Sequence, residues 1–232
     1  GRAFPELQMV SMTMHHIGAC PMVMADEKGN SLVLNTVDNL STEKFARVIT
    51  VEMGGAGLIA LYPMNGAQAK KSILKGSMSL INAIGRIIHE EQSANRNPVD
   101  KLSRELNGIR IFEGRVKDVE RRTEGGFARG KCSIEGLGKD QGYELRLHFQ
   151  NEFLLAETPG GEPRAMTPDL ICLLDLETGQ PITTEQMRYG FRIIVFGLPC
   201  NPQWRSKHGL ELVGPGYFGY DKEYRPIEEL AS

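Results

Sequence analysis

The sequence predicts an α/β segment over residues 1–100, followed by a β-rich domain over 107–232 of β-barrel-like or β-sandwich type. Three observations predict it. In the first hundred residues, helical periodicity alternates with short apolar runs. After Asn107 the pattern changes to many short strand-like segments divided by turns rich in Gly, Asp and Pro, the spacing of a barrel or sandwich. Between the two, residues 93–107 are polar and include Asn95, Asn97 and Pro98, which suits a boundary. A chain of 232 residues is long enough for two modest domains with a core each.

Taken in order, Pro5 suits the first turn of a helix and Glu6 its positive end. Leu7, Val10, Met14 and Ile17 recur at spacings of three and four and predict a helix, which Gly18 ends. The chain does not begin with Met and enters this helix at once, so an upstream segment is expected and the α/β domain reads as incomplete. Cys20–Ala25 and Ser31–Val37 read as strands joined by the turn Asp26-Glu27-Lys28-Gly29-Asn30. Ser41 suits the cap of a short helix through Arg47, and Val48–Met53 is a β-branched run stopped by Gly54-Gly55. Leu58–Tyr62 is another apolar run, and helical character returns over Ala67–Leu74. Met78, Ile81, Ile84 and Ile88 form a helix stripe opposite Arg86, Glu90 and Glu91. Beyond the boundary, strands are expected at 109–120, 130–135, 143–151, 153–156, 170–175 and 191–196. One helical turn is expected at 183–189 and an ordered loop at 214–220.

Composition narrows the function. Hydrophobic residues at 41% and charged residues at 24% are ordinary globular values and argue against disorder. A net charge of −2 lacks the basic surplus of a nucleic-acid binder. The longest apolar runs, Leu58–Met64 and Ile193–Leu198, fall well short of the roughly 20 residues that cross a bilayer. No signal-peptide pattern opens the chain. Cys20, Cys132, Cys172 and Cys200 are scattered, without a CxxC pair, and read as reduced thiols. A cytoplasmic, homo-oligomeric protein with no nucleic-acid or membrane partner is expected.

No strong catalytic motif is present. Arg2, Glu6 and Gln8 make the densest polar group, at a helix entry where α/β proteins often place a site; a capped helix start with an Arg–Glu pair is the plainer account. Glu52 closes an apolar strand before glycines, and burial there would raise its pKa and make it a base. Asp26 and Asn30 flank a turn that favours them anyway. His15 and His16 sit on the first helix, about 100° apart, so they do not share one metal easily, but His15 could serve as acid or base. His89, His148 and His208 are isolated. Gly54-Gly55-Ala56-Gly57 follows a strand as a phosphate loop would, without its Lys-Ser/Thr; close packing and an N–H cradle both fit. Gly136-Leu137-Gly138-Lys139-Asp140 reads as a hairpin turn, and Asn151-Glu152 as a bulge or turn. Cys20 lacks an activating partner nearby in sequence.

The phrase Gly1-Arg2-Ala3-Phe4-Pro5-Glu6-Leu7-Gln8-Met9 resembles the signature of the S-methyl thiohydantoin desulfurase family. Matching phrases follow in order: Ala25-Asp26-Glu27-Lys28-Gly29-Asn30, Gly125-Gly126-Phe127-Ala128-Arg129-Gly130, Gln150-Asn151-Glu152, Pro168-Asp169-Leu170-Ile171, Arg188-Tyr189-Gly190, and Val213-Gly214-Pro215 through Phe218-Gly219-Tyr220. Each is weak alone, and their order makes the likeness specific across nearly the whole chain. The resemblance implies an α/β sandwich domain followed by a β-barrel-like domain, and association with hydantoinase/oxoprolinase enzymes. It also implies removal of a methylthio group from an S-methyl thiohydantoin ring.

That reaction needs a base for water, a donor for the ring nitrogen and a grip on the ring carbonyl. Glu6, Glu52 and Asp26 are the candidate bases. His15, Arg2 and the N–H groups of Gly54 and Gly55 are candidate donors, Gln8 stands with the substrate-binding group, and Asn151 and Glu152 are expected to reach in from the second domain. Two other readings stay open: a non-catalytic partner or scaffold of a hydantoinase/oxoprolinase, and a metal-assisted cyclic-amide hydrolase. The sequence itself requires no cofactor; a divalent metal is the open alternative. The small-molecule partner in each case is a cyclic amide or thiohydantoin.

Overall fold

Two antiparallel sheets organise the chain, one of three strands and one of eight. The computed structural model describes residues 10–124 and 127–230. These fall into two compact units that divide at Lys75/Gly76, earlier than the polar stretch 93–107.

The first unit contains α1 (Val10–Met14), β1 (Met22–Ala25), β2 (Ser31–Leu34), α2 (Asn39–Glu52), β3 (Leu58–Ala60) and α3 (Gly66–Ser72). Its sheet order is β2-β1-β3. The expected hairpin forms between β1 and β2, with Met22 opposite Leu34 and Ala25 opposite Ser31. On the inner face, Met22 and Met24 are fully buried and pack against Ala46, Ile49 and Met53. This packing decides the fate of Val48–Met53, expected as a strand. Ile49 and Met53 continue the helical spacing of Thr42 and Ala46, so contact with β1 overrides β-branched propensity and α2 runs on to Glu52. The helix is capped by Asp38, whose side chain accepts from the Ser41 N–H at 2.7 Å, rather than by Ser41 itself.

The second unit opens with α4 (Ser77–Ser93) and α5 (Val99–Leu106). Its strands are β4 (Ile109–Glu124), β5 (Phe127–Gly136), β6 (Glu144–Gln150), β7 (Glu152–Glu157), β8 (Pro163–Met166), β9 (Leu170–Asp175), β10 (Pro181–Ile182) and β11 (Arg192–Leu198), and the short helices α6 (Lys207–Val213) and α7 (Ile227–Leu230) close it. Strand order is β10-β9-β11-β4-β5-β6-β7-β8, and the two end strands do not pair, so the sheet is not closed. It curls enough for Ala156 and Ala165 to share one core with Leu173 and Val195. Alternation explains the faces: Leu145, Leu147 and Phe149 enter that core while Arg146 and His148 point away. Each such fully buried aliphatic or aromatic side chain contributes about 1.5–3 kcal/mol.

The other face of β9 and β11 carries Leu174, Ile194 and Phe196, which pack on Ile87 of α4 and on Val99 and Leu102 of α5. The polar stretch 93–107 therefore contains a helix. Its single apolar stripe is hard to see among the surrounding Asn, Lys and Arg residues. Strand β8, also absent from the expectation, is a sheet edge that begins with a proline, the position where a strand tolerates one.

The C-terminal tail is tied down by Asp169, whose side chain is wholly buried. One carboxylate oxygen accepts from the Cys200 N–H at 2.9 Å and Arg205 Nη2 at 2.6 Å. The other accepts from Tyr224 Oη at 2.8 Å and the Ile227 N–H at 2.9 Å. Tyr220 and Tyr224 then pack against Leu155, Met166 and Leu230, so the tail lies on the sheet. No helix among the described residues is long and apolar enough to cross a membrane.

Candidate functional site

Three rungs of the β4–β5–β6 ladder form the floor of a hollow of about 780 Å³, within the usual size of small-molecule sites. One rung is Glu120, Lys131 and His148; the next is Arg121, Gly130 and Phe149; the third is Arg122, Arg129 and Gln150. Side chains of the first and third rungs share one face, because strand residues alternate. That face is basic, with Arg122, Arg129 and Lys131, and Lys131 is paired to Glu120 at 3.2 Å. The middle rung turns the other way: Arg121 lies over the Phe149 ring and bonds the carbonyls of Thr184 and Met187. Gly130 permits this crowding, since a Cβ there would strike the Glu120 carbonyl and the Phe149 ring. Phe218 and Tyr220, from the tail held by Asp169, complete the lining. Burial, helped by Glu157, pushes the Tyr220 hydroxyl up to about 12, so at neutral pH it is a neutral donor.

At one margin of the hollow stands His148, its Nε2 3.0 Å from Glu157 Oε1. Glu157 lies diagonally across from it on β7, opposite Arg146. The second oxygen of Glu157 is 3.0 Å from Lys222 Nζ, which also donates to the Gly161 carbonyl at 2.6 Å. The Tyr220 ring meets the imidazole edge-on at 5.7 Å. Gln150 is buried on the same face, and its amide makes no hydrogen bond among the described residues.

Comparison with known proteins bears on this geometry. The model for the S-Me-THD-like C-terminal domain matches residues 37–227, and that for the S-Me-THD-like N-terminal domain matches residues 1–36. The chain belongs to the S-methyl thiohydantoin desulfurase (S-Me-THD-like) family. A protein of Chromobacterium violaceum known from an X-ray crystal structure is similar in fold, with a TM-score of 0.73 at 21% identity over 97% of this chain. The present chain spans 64% of that protein's length. No curated protein matches. The S-Me-THD-like boundary at 36/37 lies between β2 and α2, inside the first compact unit.

Several phrases by which the sequence resembles the S-Me-THD-like family meet at the hollow. Arg129-Gly130, Gln150 and Phe218 with Tyr220 line it. Asn151 takes a left-handed turn at φ +58°. Its N–H and side-chain oxygen bond Ala128 at 2.9 and 2.8 Å, and its carbonyl accepts from Thr184. It thus shapes the β6–β7 hairpin. Glu152 stands opposite Gln150 across that hairpin. Of the remaining candidates, Arg2, Glu6 and Gln8 lie outside the described residues.

Asp26, Glu52, Gly54 and Gly55 gather at one end of the small sheet, where Ala25 pairs Leu58 and Gly57 approaches Met53. Asp26 closes the hairpin by accepting from the Lys28 and Asn30 N–H groups at 2.9 and 2.8 Å and from the Asn30 amide at 2.6 Å. Asn30 first, then Lys28, hold its carboxyl below the usual range. Glu52 is the last residue of a helix and is exposed, not the buried end of a strand. Gly54 and Gly55 take left-handed φ of +98° and +92°, and their N–H groups bond Val51 and Thr50 carbonyls at 3.0 and 2.9 Å. This is the two-bond closure of a helix end, so those N–H groups are spent on α2. His15 belongs to the opposite end, beside the Met12, Ile17, Ala19 and Tyr62 cluster, and its Nε2 is buried without a partner among the described residues.

Cys20 does acquire neighbours that its sequence context lacks. Its thiol lies 3.4 Å from both Thr36 and Thr42 hydroxyls. Burial pulls its pKa up, but these hydrogen bonds outweigh it and the net shift is downward. All four cysteines are free. Burial pushes Cys132 and Cys200 up to about 12, as for inert interior thiols. Among the described residues, no three His, Cys, Asp or Glu side chains are grouped to hold a metal ion.

Proposed function

We propose that this protein hydrolyses the carbon–sulfur bond of an S-methyl thiohydantoin ring, giving the hydantoin and methanethiol, and that the β4–β6 hollow holds the ring. The observation that carries this reading is the meeting of three separated family phrases, around Arg129, Gln150 and Phe218–Tyr220, in one hollow of suitable size. Phe218 and Tyr220 offer apolar faces to a planar heterocycle. Gln150, whose amide makes no hydrogen bond among the described residues, suits the donor and acceptor edge of a cyclic amide. Arg122 and Arg129 suit the negative charge that develops on ring nitrogen and oxygen as water adds. Should the site lie in the first unit instead, Arg2, Glu6 and Gln8 are its proposed substrate-binding or basic groups.

Thiol titration tests the proposal. The protein, incubated with an S-methyl thiohydantoin, is expected to release one equivalent of free thiol for each hydantoin formed. Arg129→Met should lower kcat/KM roughly tenfold, the size of a lost hydrogen bond to a charged group. Release unchanged in both Arg129→Met and Gln150→Ala would place the site elsewhere, with Glu6→Gln and Glu52→Gln the next variants to assay. No release, together with complex formation with a hydantoinase, would favour the scaffold reading.

A further inference from the structure

The proposed hydrolysis needs a group that carries protons, and the inference that follows rests on that reading. We infer that His148 is the catalytic acid–base of the hollow, positioned by Glu157, with Lys222 holding Glu157 in place. His148 lines the hollow, yet its Nε2 is committed to Glu157 at 3.0 Å. A carboxylate on one ring nitrogen fixes the tautomer with that nitrogen protonated and leaves the other as a lone pair. Nδ1 makes no hydrogen bond among the described residues. Glu157 is itself held from behind by Lys222 at 3.0 Å, and Lys222 by the Gly161 carbonyl. The edge-on Tyr220 ring limits rotation of the imidazole. A base with one oriented nitrogen and one open nitrogen, backed by an anchored carboxylate, is the arrangement that general acid–base catalysis uses.

An ordinary histidine–carboxylate tie between strands would explain the 3.0 Å contact alone. It does not explain the position at the edge of a cationic hollow beside Lys131 and across from the tail aromatics. In the step inferred, Nδ1 takes a proton from water as the water oxygen bonds to the ring carbon bearing sulfur. The C=N pair moves to the ring nitrogen, which takes a proton from solvent. The C–S bond then breaks as the carbonyl forms, and the hydroxyl proton returns to solvent. Methanethiolate leaves with the proton held on His148. One water is consumed, one thiol and one hydantoin form, and nothing is oxidised or reduced.

The experiment compares wild type, His148→Ala, His148→Gln and Glu157→Gln by thiol release, with folding checked by circular dichroism. Both His148 variants are expected to lose about a hundredfold or more in kcat, and added imidazole should restore His148→Ala at least severalfold. Glu157→Gln should lower kcat by about tenfold while KM stays within about twofold. Should His148→Ala not fold, His148→Gln carries the test, since its amide can still bond Glu157. Wild-type kcat in a folded His148 variant overturns the inference. So does a loss that follows the unfolded fraction and is untouched by imidazole. A wild-type protein that releases no thiol overturns the proposed function, and this inference with it; release that survives loss of His148 overturns the inference alone.

Discussion

Asp169 is wholly buried and meets Arg205, Tyr224 and two backbone N–H groups. Removing its carboxylate leaves the Cys200 and Ile227 N–H groups and the Tyr224 hydroxyl without their acceptor, at about 3 kcal/mol or more together, while Arg205 keeps Glu228. Asp169→Ala is therefore expected to lose about that much stability in urea denaturation, and a loss below about 1 kcal/mol would show that the tail is held by other means. Glu91 gives a pH-dependent counterpart. Hydrogen bonds from Arg96 at 2.7 and 3.1 Å, then from Lys101, outweigh burial and hold its carboxyl at about 2. A depressed carboxylate contributes stability above the ordinary glutamate value of 4.5 and loses it as pH falls through the folded value. The urea midpoint should fall between pH 6 and pH 3, and fall less in Glu91→Gln. The site was partly legible at this scale. The alternation Leu145-Arg146-Leu147-His148-Phe149-Gln150 puts His148 and Gln150 on the polar face. What made His148 read as isolated is that its partner depends on hairpin register, which includes a shift between His148 and Phe149 that no local pattern announces.

Elements were legible where local pattern and packing agree. Strand β9 runs over the residues its apolar run marks, and the β1–β2 hairpin turns where Asp26 and Asn30 suggest. Helix α2 was misread where they conflict, since Val48–Met53 carries strand propensity but its inward residues keep helical spacing under β1. Asp38→Ala should cost α2 about 1 kcal/mol by removing the bond to Ser41, measured as a shift in the denaturation midpoint. At Gly130 an added Cβ meets the Glu120 backbone carbonyl, which cannot swing aside as a side chain can. Gly130→Ala should therefore force β4 and β5 apart, and both stability and KM should worsen together. A stable variant with unchanged KM would show that the rungs do not set the hollow.

Across the whole molecule, the sequence indicates a mixed first part and a strand-rich second part, and the two sheets follow that division. It does not show that α4 and α5 belong with the larger sheet, because their apolar residues find partners on β9 and β11, far along the chain. The hollow has the same origin: Arg129, His148, Gln150 and Tyr220 come from separate stretches, and only the ladder register and the tail clamp bring them together. The central claim is that this hollow removes a methylthio group from a thiohydantoin ring. Its most direct test is stoichiometric thiol release from an S-methyl thiohydantoin by wild type and by the double variant Arg129→Met/His148→Gln. Equimolar thiol and hydantoin from wild type, with release from the folded double variant lowered by at least a hundredfold, is the predicted result. Undiminished release from that variant, or none from wild type, would contradict it.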